Sequence, residues 1–466
     1  MQARRFIPGI LMAFAVISCS TNKTGSEADM GAALQKEEIK LITLNPGHFH
    51  AYLVQKLTYE NVDSVVHVFA PEGEEVKAHL EKIKAYNNRA DNPTNWVEEV
   101  YTGPDYLEKM LAQKPGNVVV LAGNNKLKTE YINKSITAGL NVFADKPMAI
   151  NSESFELLKQ TFAEAEKKGL VLYDIMTERF EITTLLQREF STLPEVFGTL
   201  QQGTPEDPAV TKESVHHFSK MVSGSPLIRP AWFFDTEQQG EGIVDVTTHL
   251  VDLVQWECFP GQIINYESDI NITNARHWKT NLTPTQFEKV TGLKTYPDYL
   301  KKDVDAKKTL GVYSNGEINY QIKGVNAKVS VIWNFEAPAG AGDTHFSIMK
   351  GSRANLIIRQ GKEENFKPVL YIEPLDKDDK TFEADLKAGV ANVQSNFPGV
   401  DMQRSGDIWT ISVPEKYHNG HEAHFGQVTE KYLEYLQNKN MPEWEVPNMI
   451  TKYYITTRAL ELARGE

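Results

Sequence analysis

Two short stretches carry the residue types that oxidation of an alcohol needs. The first is Asn141-Val142-Phe143-Ala144-Asp145-Lys146-Pro147, an apolar run that ends in a charged pair and is stopped by proline. Pro147 has no amide hydrogen and restricts the residue before it to an extended conformation. Lys146 is therefore expected to aim its ammonium out of the end of a strand. The second runs from Gly240 to Val254. There Ile243, Val244, Val246, Leu250, Val251, Leu253 and Val254 make a mostly apolar helix, which should be buried. Asp245, Thr248, His249 and Asp252 fall on it at i, i+3, i+4 and i+7, one polar stripe. Such a stripe must face partners or a wet cavity, because unpaired burial is costly. A closed core network with Asp245 as a cap is the alternative. The Gly-rich turn before the stripe permits close backbone approach and favours a pocket. Oxidising a secondary alcohol takes a base for the hydroxyl proton and a nicotinamide for the hydride. His249 can accept a proton near neutral pH. A lysine at a strand end can lower a neighbour's pKa and polarise the oxygen.

These residues need a scaffold, and residues 39–176 read as one. Apolar runs at 39–44, 65–69, 96–101, 118–122, 141–145 and 170–175 alternate with helical patterns at 74–87, 104–113 and 151–168. A further pattern between 122 and 141 is closed by Gly139. Asn151-Ser152 should cap the fifth helix and Gly169 should close it. Alternation of this kind means a doubly wound parallel sheet, with ligands beyond the carboxyl ends of its strands. Gly123-Asn124-Asn125 and Asp145-Lys146-Pro147 occupy two such ends. Asn45-Pro46-Gly47-His48-Phe49-His50 follows the first strand, where a dinucleotide-binding fold carries Gly-x-Gly-x-x-Gly. Only Gly47 is in place, and Pro46 removes one amide. Glu72, after the second strand, either holds a ribose or starts the next helix, where an acid suits the dipole.

Beyond about residue 195 the strands alternate apolar and polar, with Asn315-Gly316 as the best hairpin signal. Val329, Val331, Trp333 and Phe335 share one face. This half reads as an α+β domain built on a large, mostly antiparallel open sheet, closed by helices around Val428–Leu436 and 451–463. The expected division is 39–190 for the α/β half and 191–466 for the second.

The chain has 466 residues, too many for one core, and 41% hydrophobic residues, so it is globular. A net charge of -13 argues against nucleic acid or an anionic membrane as main partner. Two cysteines, Cys19 and Cys258, leave no disulfide framework. Arg4-Arg5 and the apolar stretch 10–17, too short to span a bilayer, precede Val16-Ile17-Ser18-Cys19, which resembles the lipobox of bacterial lipoproteins. That resemblance implies a signal peptide over 1–18, lipid on Cys19, a tether over 19–38 and a place in the bacterial cell envelope, periplasmic or on the outer membrane.

Asp-Lys-Pro after the fifth strand resembles the glucose–fructose oxidoreductase / inositol dehydrogenase / MocA-type family, which has Glu-Lys-Pro there. Gly240-Glu241-Gly242 through Asp245 to His249 is similar to the family's Gly-Gly-x-x-x-Asp-x-Gly-x-His, with Thr247 replacing a glycine, and Arg179-Phe180 also matches its pattern. The resemblance implies a Rossmann domain holding NAD or NADP, with Gly47, His48, Glu72, Gly123, Asn124, Asp145, Lys146 and Pro147 near the cofactor. It implies Lys146, His249 and Asp245 as the catalytic group. Arg179, His216, Lys220 and Thr248 are the substrate candidates, for a sugar, glycoside or polyol. Ser214-Val215-His216-His217-Phe218-Ser219-Lys220 reads equally as a solvated strand edge. No metal site is expected: His418, His421 and His424, at i, i+3 and i+6, cannot all share an ion. Outside the cytoplasm free cofactor should be scarce, so a bound, recycled cofactor is expected. Alternatives are a redox-assisted glycosidase and a non-catalytic sugar-binding lipoprotein. The open sheet should be covered in a homo-oligomer, a dimer or tetramer.

Overall fold

The computed structural model describes residues 38–222 and 225–466. The expected leader, Cys19 and nearly all of the tether lie outside the described residues. Six strands, β1 (Leu41–Leu44), β2 (Val65–Ala70), β3 (Val97–Thr102), β4 (Val118–Leu121), β5 (Asn141–Asp145) and β6 (Leu172–Ile175), form one parallel sheet in the order β3-β2-β1-β4-β5-β6. They are linked by α1 (His50–Leu53), α2 (Glu74–Asn88), α3 (Tyr106–Gln113), α4 (Lys128–Thr137) and α5 (Ser152–Lys168). Every residue of β1 and β4 is buried. Helices cover both faces of such a sheet, so its central strands read as unbroken apolar runs. The Asn151 side chain and Ser154 cap α5 reciprocally, and Gly169, at φ 65°, ends it. The strand order reverses between β1 and β4, so a crevice opens at their carboxyl ends.

After α6 (Ile182–Ser191) the chain builds a nine-stranded sheet around β7 (Val210–Ser219). A two-strand hairpin, β8 (Met221–Val222) and β9 (Ser225–Pro226), precedes α7 (Thr236–Gln239) and α8 (Thr247–Cys258). Then come β10 (Ile270–Leu282), α9 (Pro284–Thr291), β11 (Leu310–Ile322), β12 (Val325–Glu336), β13 (Thr344–Lys350), β14 (Ala354–Gln360) and β15 (Val369–Pro374). The chain ends with α10 (Phe382–Val393), β16 (Asp401–Ser405), β17 (Ile408–Ser412), α11 (His421–Asn438) and α12 (Glu445–Arg464). The sheet order is β10-β11-β12-β7-β13-β14-β15-β17-β16. Only the β7–β12 pair is parallel. Residues of α6, α8, α10 and α12 share one apolar core with the inner face of this sheet.

Two expectations need correction. The helices at the end of the chain do not serve the second sheet alone. Phe425, Val428 and Tyr432 of α11 enter the core of the parallel sheet, and the Tyr432 ring stacks on Phe143 at 4.5 Å. Nor is Asn315-Gly316 a turn, because β11 runs straight through it. The Asn315 amide bridges a register shift, donating to the Trp278 carbonyl and to Thr280 Oγ1 at 2.9 Å each while accepting from the Trp333 amide at 2.7 Å. Gly316 faces Ile243, whose Cβ would lie 2.6 Å from any Cβ placed there. The hairpin turns instead at Lys323-Gly324, both at positive φ. The dipeptide is kept here for close approach, not for its turn geometry.

A similar approach positions the second chemical stretch. A Cβ on Gly242 would stand 1.8 Å from the Ser314 carbonyl oxygen. Gly242→Ala must push the Asp245 turn away from β11. It is expected to cost at least about 2 kcal/mol in urea unfolding. An unchanged midpoint would show that this contact does not hold the turn.

Candidate active site

Lys146, at the end of β5, and Asp245, in the turn before α8, meet across the two halves. The ammonium lies 2.6 Å from Asp245 Oδ1. Both side chains are largely shielded, at 11% and 7% exposure, so water screens the pair weakly. One turn on, His249 projects into the same cavity as Lys146. Its Nδ1 is buried without a hydrogen-bond partner among the described residues. Burial, and then the Lys146 charge, hold the imidazole well below its ordinary pKa. The ring is therefore neutral at physiological pH, with a nitrogen free to take a proton.

The polar stripe on α8 divides along its length. Asp245 and His249 line the cavity. Thr248 does not reach it: it is fully buried and its hydroxyl donates to the Val244 carbonyl at 2.8 Å. Asp252 runs into the core, where Arg179 grips it with Nε at 2.6 Å and Nη2 at 2.7 Å, and Lys452 adds a bond of 2.8 Å. Arg179 also gives Nη1 to Glu445 at 3.0 Å, and Lys452 reaches Asp174 of β6 at 2.8 Å. Arg179 and Thr248 are therefore removed from the substrate candidates, since both are buried and neither lines the cavity. Asp252 is held far below the usual carboxylate range by its two cations against the pull of burial.

The turn after β1 departs from the dinucleotide pattern in a way the structure explains. Asp145 accepts from His50 Nδ1 at 2.8 Å, and His48 Nδ1 stands 3.5 Å from the same oxygen. Lys128 is buried beside them, donates to the Asp145 carbonyl at 3.0 Å, and is pulled down to about 8 by burial. The ligand-capable atoms of His48, His50 and Asp145 fall within 4.8 Å of one another. The ammoniums of Lys128 and Lys146 act on the same group, so a cation is disfavoured there.

The carboxyl ends of the strands were tested for room to hold a dinucleotide. Gly47 and Gly123 let the β1 and β4 loops close on each other, and a Cβ on Gly123 would sit 2.5 Å from the Asn45 carbonyl. The Gly47 and His48 amides both donate to the Ala122 carbonyl, at 3.1 and 3.2 Å, so they do not wait for a phosphate. Asn124 is bonded to Gln238 at 2.7 Å, and Glu72 stands exposed before α2. Pro147 is buried behind Lys146. A cavity of about 770 Å³ extends from His48, His50 and Lys146 to Trp333 on the second sheet. That is within the size range of small-molecule sites. The nicotinamide end therefore fits; the pyrophosphate must be gripped by something other than the glycine turn.

His216 and Lys220 both line the cavity, together with Asp343, which neither periodicity nor motif singled out. Asp343 binds Lys220 at 2.8 Å and His217 at 2.9 Å, with His216 at 3.5 Å. Glu178, Arg229 and His421 line it as well. These three are far apart in the chain, and only the fold brings them to one cavity.

Such a fold and cavity define a nucleotide-dependent oxidoreductase whose substrate wall is a separate sheet. The chain belongs to the Gfo/Idh/MocA oxidoreductase family. Residues 43–173 match "Oxidoreductase family, NAD-binding Rossmann fold", and residues 186–464 match "Putative oxidoreductase C terminal domain". It is 58% identical to a "putative oxidoreductase" from Parabacteroides merdae ATCC 43184, with a TM-score of 0.90 over 92% of this chain and 98% of that one. Levoglucosan dehydrogenase in complex with NADH and L-sorbose shares the fold at 11% identity and TM-score 0.60, over 92% of this chain and 97% of that one. Biliverdin reductase from Synechocystis sp. PCC 6803 does so at 11% and 0.55, over 92% and 99%. Comparison with curated proteins gives no match.

The buried ion cluster predicts a stability effect apart from chemistry. Asp252→Ala leaves Arg179 and Lys452 buried without their shared counter-charge. It is expected to lose about 3–5 kcal/mol in chemical unfolding. A neutral result would mean that the cluster does not hold α8 in place.

Proposed function

We propose that the protein oxidises a ring hydroxyl of a sugar, glycoside or polyol, with NAD or NADP as partner. The observation that carries this reading is the meeting of Lys146, Asp245 and a neutral His249 in one cavity. Gly47, Gly123 and Asn124 would flank the dinucleotide at the strand ends, with Glu72 toward the ribose. A bound nicotinamide supplies the hydride acceptor. His249 takes the hydroxyl proton as the carbon is oxidised. Lys146 donates a hydrogen bond to the substrate oxygen and favours its anionic form. Asp245 holds the Lys146 ammonium in place.

Lys146→Met and His249→Phe are each expected to lower kcat by about 10²–10⁴. The measure is ketone formation from methyl glycosides by purified protein, alongside assay of the denatured supernatant for cofactor. Turnover unaffected by both variants would sink the reading. A supernatant free of cofactor from active protein would sink a recycled, tightly bound one. Because the His249 pKa is depressed, the imidazole stays unprotonated well below pH 6.5. The acid limb of kcat/KM should accordingly fall below that pH.

A second reading has one observation in its favour. Glu178 lines the same cavity, and burial raises its carboxyl to about 7. A protonated acid beside the redox centre suits a glycosidase in which transient oxidation acidifies a neighbouring C–H and the acid protonates the leaving oxygen. Release of the aglycone without net reduced cofactor distinguishes it.

We further propose that the protein is anchored in the cell envelope by lipid on Cys19, following Val16-Ile17-Ser18. Cys19→Ser should move the protein from the membrane pellet to the soluble fraction. Unchanged membrane association would count against the anchor.

A further inference from the structure

The wall that the second sheet gives the cavity holds an arginine with no ion pair among the described residues. Arg229 is 6% exposed and lines the cavity. Its guanidinium lies 4.5 Å from the Phe233 ring and 5.2 Å from the Trp333 ring, which fix its plane. Nε donates to the Phe218 carbonyl at 3.1 Å, and Nη2 to the His217 carbonyl at 3.4 Å. Both acceptors are neutral. No carboxylate forms an ion pair with Arg229 among the described residues. Burial draws the group down to about 10, outweighing the opposing pull of the Asp343 and Asp245 carboxylates, neither of which bonds to it.

The nearest acid does not make up the deficit. Asp343 already serves Lys220 at 2.8 Å and His217 at 2.9 Å. Asp245 is likewise committed, to Lys146 at 2.6 Å. Positive charge is therefore in excess on the sheet wall alone, inside a protein whose net charge is -13. A buried, planar fork with N–H groups left over suits one kind of partner, an oxyanion that accepts two parallel bonds.

We propose that the substrate is an acidic sugar, bearing a carboxylate or a sulfate ester, and that Arg229 receives that anion while a ring hydroxyl lies at Lys146 and His249. The inference rests on the oxidoreductase reading for the second half of that statement only. The subsite deepens that reading by naming the substrate class.

The test is calorimetric binding to the purified full-length protein, without turnover. The probes are the methyl glycosides of glucuronic and galacturonic acid, the neutral methyl glucoside and galactoside, and the 6-sulfates of the neutral pair. At least one anionic probe is expected to bind on the order of tenfold tighter than its neutral parent. Arg229→Met should erase that difference, and Arg229→Lys should keep part of it. A uronide preference identifies the carboxylate, and a preference for the 6-sulfate identifies the ester. Equal binding of charged and neutral probes to the wild type overturns the proposal, even if the methionine variant fails to fold. So does binding by none of them, or a preference that survives Arg229→Met. Anion preference without oxidation would sink the oxidoreductase reading and leave the subsite. Oxidation of neutral glycosides without anion preference would do the reverse.

Discussion

The geometry of the site depends on a carboxylate that never touches it. Asp252 is buried between Arg179 and Lys452, and those cations reach on to Glu445 and Asp174. The cluster thereby ties β6 of the parallel sheet to α8 and α12. Just under one helical turn before Asp252, the same α8 presents His249 to the cavity. Removing ions from water is expensive, and a buried cluster of this kind stands only when every charge has a partner at hydrogen-bond distance. That requirement makes the relation between the two halves stiff. The Lys146–Asp245 pair, also shielded, adds a second tie at the site itself. His249 is held on the cavity wall it shares with Lys146 by the core behind it.

The turn after β1 and the acid of Asp145-Lys146-Pro147 each depart from the family's pattern, and in the chain they are nearly a hundred residues apart. In space they are one feature. The shorter aspartate leaves room for the His50 ring, which bonds it at 2.8 Å, and for His48 alongside. The amides that a glycine loop would offer to a phosphate are spent on the Ala122 carbonyl. The crevice has thus exchanged part of its phosphate cradle for imidazoles at the nicotinamide end. A protein that retains its cofactor through turnover has more use for contacts at that end than one that exchanges it.

The family's common architecture says little about what lies opposite. Proteins of this fold include a levoglucosan dehydrogenase in complex with NADH and L-sorbose and a biliverdin reductase in complex with biliverdin and NADP+. Fold positions the strand ends; the wall of the second sheet chooses what meets them. In this chain that wall carries Arg229, Lys220 and Asp343 against Trp333 and Phe233. These residues come from β7, β12 and the segments beside them.

Several features were legible from the chain alone, because their causes are local. Buried parallel strands must be apolar along their whole length, so β1, β4 and β5 announced themselves. Asn151 and Gly169 marked the ends of α5 by capping chemistry that acts within four residues. Lys146, Asp245 and His249 stood out because proline and helical spacing act over the same short range. What failed, failed for the opposite reason. Asn315-Gly316 has the composition of a turn, yet it lies inside a strand because Ile243, distant in sequence, leaves no room for a side chain. Arg179 looked like a ligand for substrate until α8 and α12 brought Asp252 and Glu445 to it. Asp343 and Arg229 were invisible because a charge acquires meaning from what surrounds it, and only the folded chain decides which charges are left without a partner.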